Sequence, residues 1–486
     1  MILLDNFNSI QNYIDKKIII SGFIQNIRNL KNFVFIVIRR NHELIQCILK
    51  NTELLNNKHL TIESTIKITG YLKLRNQKNI NNYQKLGKYE IEIIDIDIIK
   101  LSLPLPFSIH NAKDVSLEIR ERYRFLDLRN SEVLNTLKTR IKAIKITREF
   151  FDNLEFLEIN TPILTCISQD GANNYIVKSR RFDNKYYALT QSPQLYKQII
   201  MCSDIEKYYQ IAPCFRDEES RSNRLCTEFT QIDMEMKISD IDDIIKIIIS
   251  YIKCLIQKLK GSILKIYKFD YLEVINKYTT DQIDIRVWNK FNIKKHENHL
   301  SLNNLDNIYK ELKNTFSDIR IINNDEIIID TNSDQKNSLL MHLSNLYNQK
   351  YNTNNEHCII VIYNYPFYEI DNYGNQTFKH NPFSKTFIKN NNVYAYQYDI
   401  IMDAQEIAGG SIREADINKL KKYINDSNIV NFIDMYNYGY IEHGGFALGL
   451  ERFLSVLFNK PIENFIPFFT MKNGSTNLIS APNKLT

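Results

Sequence analysis

The sequence predicts an α+β protein: a small N-terminal β-barrel followed by a larger region that combines long helices with antiparallel strands. Three observations carry this. Residues 1–103 consist of short β-branched runs separated by polar turns. LPLPF (103–107) is a stiff, proline-marked boundary. Beyond it lie a long amphipathic helical pattern and a hairpin whose second strand alternates apolar with polar residues.

In the first part the strands are KIIISGFI (17–24), NFVFIVI (32–38) and ELIQCIL (43–49), then a short helical segment around Glu53–Leu60, then STIKITGYLKL (64–74) and YEIEIIDIDIIKL (89–101). In the last, the charged phase shifts from Glu90 and Glu92 to Asp95 and Asp97, which predicts a bulge at Ile93–Ile94. Three strands, a helix and two strands is the order of an OB-fold barrel, a common binder of oligonucleotides; a generic small β-domain is the alternative on this pattern alone.

In the second part, Leu134, Leu137, Ile141 and Ile144 mark an amphipathic helix over Ser131–Leu154. LEINTPIL follows as a strand interrupted by Pro162, which suits an edge or interface. From Lys207 to Met236 runs an antiparallel hairpin with a long charged loop. Its second strand points Ile232, Met234 and Met236 one way and Gln231, Asp233 and Glu235 the other; a wholly polar strand face suggests a site. Residues 288–352, rich in Asn and Lys, read as an inserted module without catalytic features. Regular patterning resumes at CIIVIYNYPF (358–367), and no internal repeat is present.

The 486 residues carry 62 basic and 56 acidic side chains, a net +6 that is compatible with a polyanionic partner. The seven cysteines include no C-x-x-C pair and no zinc spacing, as expected of reduced thiols in a cytoplasmic compartment. No apolar run approaches a membrane span, and the N-terminus lacks a transit or signal pattern. The abundance of Ile, Asn, Lys and Tyr points to A/T-rich coding, which makes the 13 glycines informative. Six of them fall between Gly409 and Gly449.

Four stretches carry candidate chemistry: QSPQLYKQ (191–198), CFRDEES (214–220), EIAGGSIRE (406–414) and GGFALGLERF (444–453). Singly, each has a plain reading. Arg216 fits a solvated salt-bridge loop, Lys197 a surface lysine, and Gly409-Gly410-Ser411 a hairpin turn. Arg452 at a helix start is unfavourable with the macrodipole and needs a reason. Jointly, Arg216 and Arg452 suit a polyphosphate gripped from two sides, Asp399 and Glu406 suit Mg²⁺, and Lys197 and Arg413 suit a carboxylate. No Ser-His-Asp or Cys-His arrangement is apparent, so positioning and charge stabilisation are the expected chemistry.

These residues resemble the signature motifs of class II aminoacyl-tRNA synthetases. Motif 1 matches the long helix and the strand ending Asn160-Thr161-Pro162. Motif 2 matches Phe215-Arg216-Asp217-Glu218 with the returning strand EFTQID. Motif 3 matches Gly449-Leu450-Glu451-Arg452. RYRFLDLRN (122–130), QSPQLYKQ, FRDEESRSNR and EIAGGSIR are similar to the bacterial-type aspartyl family within that class.

The resemblance implies an OB-fold anticodon-binding domain (1–104), a hinge (105–130) and an antiparallel-sheet catalytic domain in two parts (131–287 and 353–486) around a reduced insertion (288–352). It implies a homodimer formed through motif 1, activation of L-aspartate by ATP with Mg²⁺, and transfer to tRNA-Asp. Carried over by position, Asp170, Gln194, Lys197, Asp233, His380 and Arg413 bind aspartate. Arg216, Asp217, Glu218, Glu406, Gly449, Leu450, Glu451 and Arg452 bind ATP, with the two arginines catalytic, and Asp399 and Glu406 face the metal. Phe35 and Gln46 match anticodon contacts, a stacking platform and a base-edge reader.

The chain departs from the family pattern in three places. Gln169-Asp170-Gly171-Ala172 replaces Pro-Glu-Gly-Ala, the motif 2 loop closes with Arg224-Leu225-Cys226-Thr227-Glu228 in place of Arg-Gln-Pro-Glu, and the insertion is short. Alternatives are an enzyme charging both tRNA-Asp and tRNA-Asn, an asparagine synthetase-like paralogue, which would lack the OB domain, and an inactive RNA-binding relative.

Overall fold

The computed structural model describes all residues except 1, 5–6, 56–58, 168–171, 219–226, 239, 306–307, 324–325, 331–334, 371–375, 379–380, 424–429 and 485–486. Asp170, His380 and the Arg224-Leu225-Cys226 part of the motif 2 loop therefore lie outside the described residues. The chain forms two compact units, Met1–Leu134 and Asn135–Thr486.

In the first unit, β1 (Lys17–Asn29), β2 (Val34–Arg40), β3 (Glu43–Leu49), β4 (Thr65–Leu74) and β5 (Tyr89–Lys100) form a barrel. β1, β2 and β3 pair antiparallel in sequence; β3 joins β5 in parallel, and β4 closes the ring by pairing with both β5 and β1. Inward residues such as Ile18, Ile20, Ile36, Ile38 and Cys47 fill the interior. Thr69 faces Asp95 and Gly70 faces Ile93, so Ile94 is the extra residue of the bulge that the charge phase predicts.

The helix expected over Glu53–Leu60 is, in its described part, only a 3-10 turn at Thr52–Leu55. So short a segment makes too few i→i+4 bonds to repay helix nucleation. The segment after the barrel packs within the same unit through Phe107, Ala112 and Leu126. The buried Glu63 carboxylate ties it down, accepting from Arg39 at 2.6 Å and from Arg129 at 2.8 Å.

The second unit takes up the chain within the long helix α1 (Ser131–Asp152), followed by β6 (Leu157–Glu158), α2 (Gln194–Met201), β7 (Lys207–Phe215), β8 (Glu228–Lys237) and α3 (Ile241–Leu259). Then come β9 (Ile263–Asp270), β10 (Glu356–Pro366), β11 (Thr386–Lys389), β12 (Asn392–Met402), β13 (Gln405–Ile412), β14 (His443–Gly449) and α4 (Leu450–Phe458). The strands make one sheet in the order β9-β10-β12-β13-β14-β8-β7-β6, with β11 on β12. Its centre is antiparallel, and the two end pairs, β9–β10 and β7–β6, run parallel.

α3 is built to lie on this sheet. Asp240 caps its first turn, and Ile244, Ile248, Ile252 and Leu255 recur at helical spacing on its buried face. α1 contributes Ala143, Ile146 and Phe151 to the same core. Ile141, expected on the buried stripe, is instead 53% exposed. The strand expected at LEINTPIL splits at Pro162: Leu157–Glu158 pairs with β7, and Leu164–Thr165 joins a separate three-stranded sheet. Among the described residues, no helix is long and apolar enough to cross a membrane.

The inserted stretch has its own four-stranded sheet (Lys294–Lys295, His299–Leu302, Glu326–Asp330, Ile319–Asn323) and the helices Ile285–Lys290, Tyr309–Thr315 and Lys336–Lys350. Its core residues Trp288, Leu300 and Leu340 cluster with Ile360 and Ile362 of β10, so the module is continuous with the main sheet.

Candidate active site

β8 positions the first half of the site. Ile232 and Met234 face the core, while the alternate residues Asp233 and Glu235, both wholly buried, face the other side. Gly445 lies opposite Glu235 on β14, where a Cβ would sit 1.9 Å from the Met234 carbonyl oxygen and 2.4 Å from Glu235 Oε2. Only glycine leaves room for that carboxylate.

Two cations meet the two carboxylates. Lys197, one turn into α2, donates to Asp233 Oδ2 at 2.7 Å and lies 3.4 Å from Glu235 Oε2. Arg413, just past β13, clasps Glu235 with two bonds of 2.7 and 2.9 Å and donates to Ser411 Oγ at 2.7 Å. The surface-lysine reading of Lys197 is thereby excluded. The quartet is balanced in charge and its members are at most 5% exposed.

Around the quartet, Asp233 Oδ1, Gln194 Nε2 and His443 Nε2 are buried without a hydrogen-bond partner among the described residues. Unsatisfied buried groups on this scale call for a ligand carrying both donors and acceptors.

Burial raises both carboxyl groups. For Asp233 it prevails over Lys197 and pushes the pKa up to about 6, whereas for Glu235 the neighbouring Arg413 and Lys197 outweigh it and hold the pKa down at about 2. Between the pKa of the unfolded chain, near 4, and that of the folded protein, near 6, the folded state holds the extra proton. Asp233's contribution is thus full at low pH and is lost as pH rises through 6. Relative to an Asp233→Asn variant, the parent is expected to lose about 1 kcal/mol between pH 5 and pH 7. Urea denaturation of both proteins at the two pH values checks this; an unchanged gap would contradict it.

The second half of the site is a cavity lined by Arg216, Phe229, Glu406, Ala408, Gly449 and Arg452. Arg216 follows the end of β7, its guanidinium 5.2 Å from the centre of the Phe229 ring and its Nε buried without a partner. Arg452, in the first turn of α4, donates from Nη1 to the Glu406 carbonyl oxygen at 3.1 Å. Neither guanidinium forms an ion pair among the described residues, so Asp217 and Glu218 give the salt-bridge reading of Arg216 no support; Glu219 lies outside the described residues. Gly409 and Gly410 lie inside β13 and not in a turn. At Gly409 a Cβ would come within 2.7 Å of Asp399 Oδ1 on β12. Asp217 is exposed and Glu218 half-buried at the mouth of the hairpin.

Two residues assigned to the nucleotide use their side chains elsewhere. Leu450 is wholly buried in the core. Glu451 borders the cavity, but its carboxylate accepts from Arg140 Nε and Nη2 at 3.1 and 3.0 Å and from the Thr230 amide at 2.9 Å, joining α1, β8 and α4. Arg140, Glu235 and His443 are the members that sequence reasoning did not assign to the site. The polar face of β8 signalled Glu235; nothing local signalled the other two.

In the first unit, Phe35 and Gln46 share the outer face of the β2–β3 pair. Their neighbours Ile36, Ile45 and Cys47 point inward, fully buried. Arg28 lies 5.9 Å from the Phe35 ring centre, and Gln46 Nε2 donates to Glu90 Oε2 at 3.4 Å. An aromatic ring beside a guanidinium on an exposed barrel face suits a stacked base.

Comparison with known proteins matches the family described as tRNA synthetases class II (D, K and N) over residues 116–472, and the OB-fold nucleic acid binding domain over 18–99. The chain belongs to the class II tRNA synthetases. Among relatives of this synthetase, the aspartate–tRNA ligase of Buchnera aphidicola subsp. Acyrthosiphon pisum (strain APS) is 31% identical, the match covering 97% of this chain and 95% of that protein. The aspartate–tRNA(Asp/Asn) ligase of Pelagibacter ubique (strain HTCC1062) is 28% identical over 97% and 94%. Among solved structures, the asparaginyl-tRNA synthetase from Pyrococcus horikoshii, complexed with asparaginyl-adenylate, superposes with a TM-score of 0.67 at 20% identity, covering 94% of this chain and 95% of its own. The aspartyl-tRNA synthetase from Entamoeba histolytica gives 0.64 at 20% identity over 95% and 91%. At that identity the likeness is one of fold.

Proposed function

We propose that this synthetase activates L-aspartate with ATP and transfers it to tRNA-Asp. The observation that carries the reading is the placement of two guanidiniums without an ion pair among the described residues, Arg216 and Arg452, on one cavity, in the same unit as two buried cations, Lys197 and Arg413. Relatives named for aspartate match nearly the whole chain.

In the first step the aspartate α-carboxylate attacks the α-phosphorus of ATP and pyrophosphate leaves. Arg216 stabilises the charge growing on the α-phosphate, and Arg452 holds the polyphosphate from the opposite side. Lys197 and Arg413 receive the substrate's side-chain carboxylate, while Asp233 and Gln194 contribute to its ammonium end. In the second step the terminal ribose hydroxyl of the tRNA attacks the acyl carbon, and AMP leaves. Asp170, His380, Asp217 and Glu218 complete the proposed substrate contacts.

Asp399 and Glu406 are hard oxygen donors on adjacent strands, and Gly409 keeps the space beside Asp399 open. Two carboxylates, with substrate phosphates and waters, suit Mg²⁺. Bound there, the ion would neutralise polyphosphate charge.

The proposed organisation is an anticodon-binding barrel (1–104), a connecting hinge (105–130) and a catalytic domain interrupted at 288–352, in a cytoplasmic homodimer. The exposed apolar residues Ile141, Leu157, Ile163 and Leu164 around motif 1 support the dimer. Pyrophosphate exchange should proceed with aspartate and not with asparagine; comparable turnover of asparagine would overturn the choice of amino acid. Charging of purified tRNA-Asp and tRNA-Asn decides whether the enzyme discriminates, since relatives of both kinds match.

Cognate tRNA affinity should fall steeply with salt. Gln46→Ala should weaken it by about 1–3 kcal/mol, the scale of one base-edge contact, and leave tRNA-independent exchange unchanged. Equal losses in both assays would contradict the role given to the barrel.

A further inference from the structure

The turn joining β12 to β13 is made of Asp403 and Ala404, both in left-handed backbone (φ 49° and 63°). Two-residue hairpin turns of this kind favour Asn-Gly. An alanine there persists only where its surroundings hold it. Those surroundings converge on one carboxylate. Asp403, 1% exposed, accepts at Oδ1 from Arg286 Nη2 (2.5 Å) and the Cys358 amide (2.9 Å). Its Oδ2 meets His357 Nδ1 (2.6 Å) and accepts from Asn348 Nδ2 (2.9 Å).

The partners come from three directions. Asn348 belongs to the inserted helix Lys336–Lys350, and Tyr347 of that helix lies under the Arg286 guanidinium at 5.0 Å. Arg286 also clasps Asp284, which accepts from Ser344 of the same helix at 2.7 Å. His357, on β10, has its Nε2 3.3 Å from Lys260 Nζ, and Lys260 donates to the Leu457 carbonyl oxygen at the end of α4 (2.8 Å). The geometry lets His357 Nε2 accept from Lys260 while Nδ1–H donates to Asp403. Asn459 Nδ2, just past α4, reaches the Asn345 carbonyl oxygen at 3.4 Å. The charges of Arg286, Lys260, Asp284 and Asp403 balance.

β12 and β13 carry Asp399 and Glu406, and α4 carries Arg452. Near the cavity they are joined by the bond from Arg452 to the Glu406 carbonyl; Met402 and Ile407 share an apolar core with Phe453 and Leu457, and at the far ends this buried network adds a polar connection. We propose that Asp403 is a positioning residue for nucleotide activation, and that the inserted helix Lys336–Lys350 is the brace through which it fixes the metal-facing hairpin against the Arg452 helix. This rests on the roles given above to Asp399, Glu406 and Arg452. It gives the inserted module a task in the reaction although none of its described residues lines the cavity.

Asp403→Asn keeps a residue suited to the turn but removes the charge and sets an amide donor against Arg286 or His357. In the full-length protein, the KM for ATP and the Mg²⁺ concentration for half-maximal exchange should each rise about tenfold, because small displacements of positioning groups are costly. The KM for aspartate should stay within about twofold: only Arg413 of the quartet follows β13, at the end opposite the Asp403 turn, and Glu235 of β8 clasps it there. Asn348→Ala, which removes one neutral bond from the brace, should show the same pattern more weakly and decides the matter if Asp403→Asn does not fold. Equal shifts in both KM values, or a lowered Tm with every KM unchanged, would overturn the proposal. Direct binding of Mg·ATP, measured alongside, should weaken in the same proportion. Absence of exchange in the parent with that binding difference intact would refute the aspartate reading and leave the brace standing.

Discussion

An Arg216→Ala variant should form aspartyl-adenylate about 10²–10³-fold more slowly than the parent, the cost of removing one preorganised charge stabiliser. The guanidinium sits against Phe229 with Nε unsatisfied and no ion pair among the described residues, so its desolvation is uncompensated until an anion arrives. That is an arrangement for binding and not for folding. Stability should accordingly move by no more than about 1 kcal/mol, as for a change whose lost native contact is that of a cation with a ring. Arg216→Lys should restore only part of the rate, because an ammonium lacks the planar fork that meets a phosphate with two bonds. Pyrophosphate exchange at the parental rate in the alanine variant would return Arg216 to an incidental role.

The second large effect concerns Lys197, and here folding and function separate. Lys197→Met leaves Asp233 and Glu235 with one cation between them in a wholly buried site, and breaking such a pair costs about 3–5 kcal/mol. Lost activity in that variant alone would therefore be ambiguous. Adding Asp233→Asn restores the charge balance and should recover most of the stability. Aspartate-dependent exchange should remain depressed by about 10²-fold or more, since the cation that receives the substrate carboxylate is still absent and each 1.4 kcal/mol is about tenfold. A double variant that is both stable and active would remove Lys197 from the substrate site. The structure also revises how discrimination works: Lys197 and Arg413 are not bare cations awaiting aspartate but are already engaged by Asp233 and Glu235. Substrate must join a neutral quartet.

What could be read from sequence was whatever leaves a local trace. Alternation along β8 exposed the polar face with Asp233 and Glu235, the phase slip in β5 placed the extra residue at Ile94, and the glycine cluster marked the centre of the sheet. What stayed hidden was pairing at long range. Arg413 meets Glu235 across 178 residues, Arg140 meets Glu451 across 311, and Arg286 meets Asp403 across 117. No periodicity connects such partners. The misplacement of Ile141 has a different cause. Large apolar residues dominate the stripe that includes it, whereas α1 approaches the core through Ala143, whose small side chain weakens the apolar signal of the face it serves.

Gly445 bears on how this chain has changed. Its composition points to A/T-rich coding, in which one step turns a glycine codon into serine, arginine, aspartate, glutamate, valine or cysteine. Each of those would thrust a Cβ to within 1.9 Å of a backbone carbonyl oxygen, which cannot step aside. Where one strand must let a neighbour's carboxylate through, no substitution is open to it. Gly409 and Gly445 are thus positions closed to a side chain by the very carboxylates of the site.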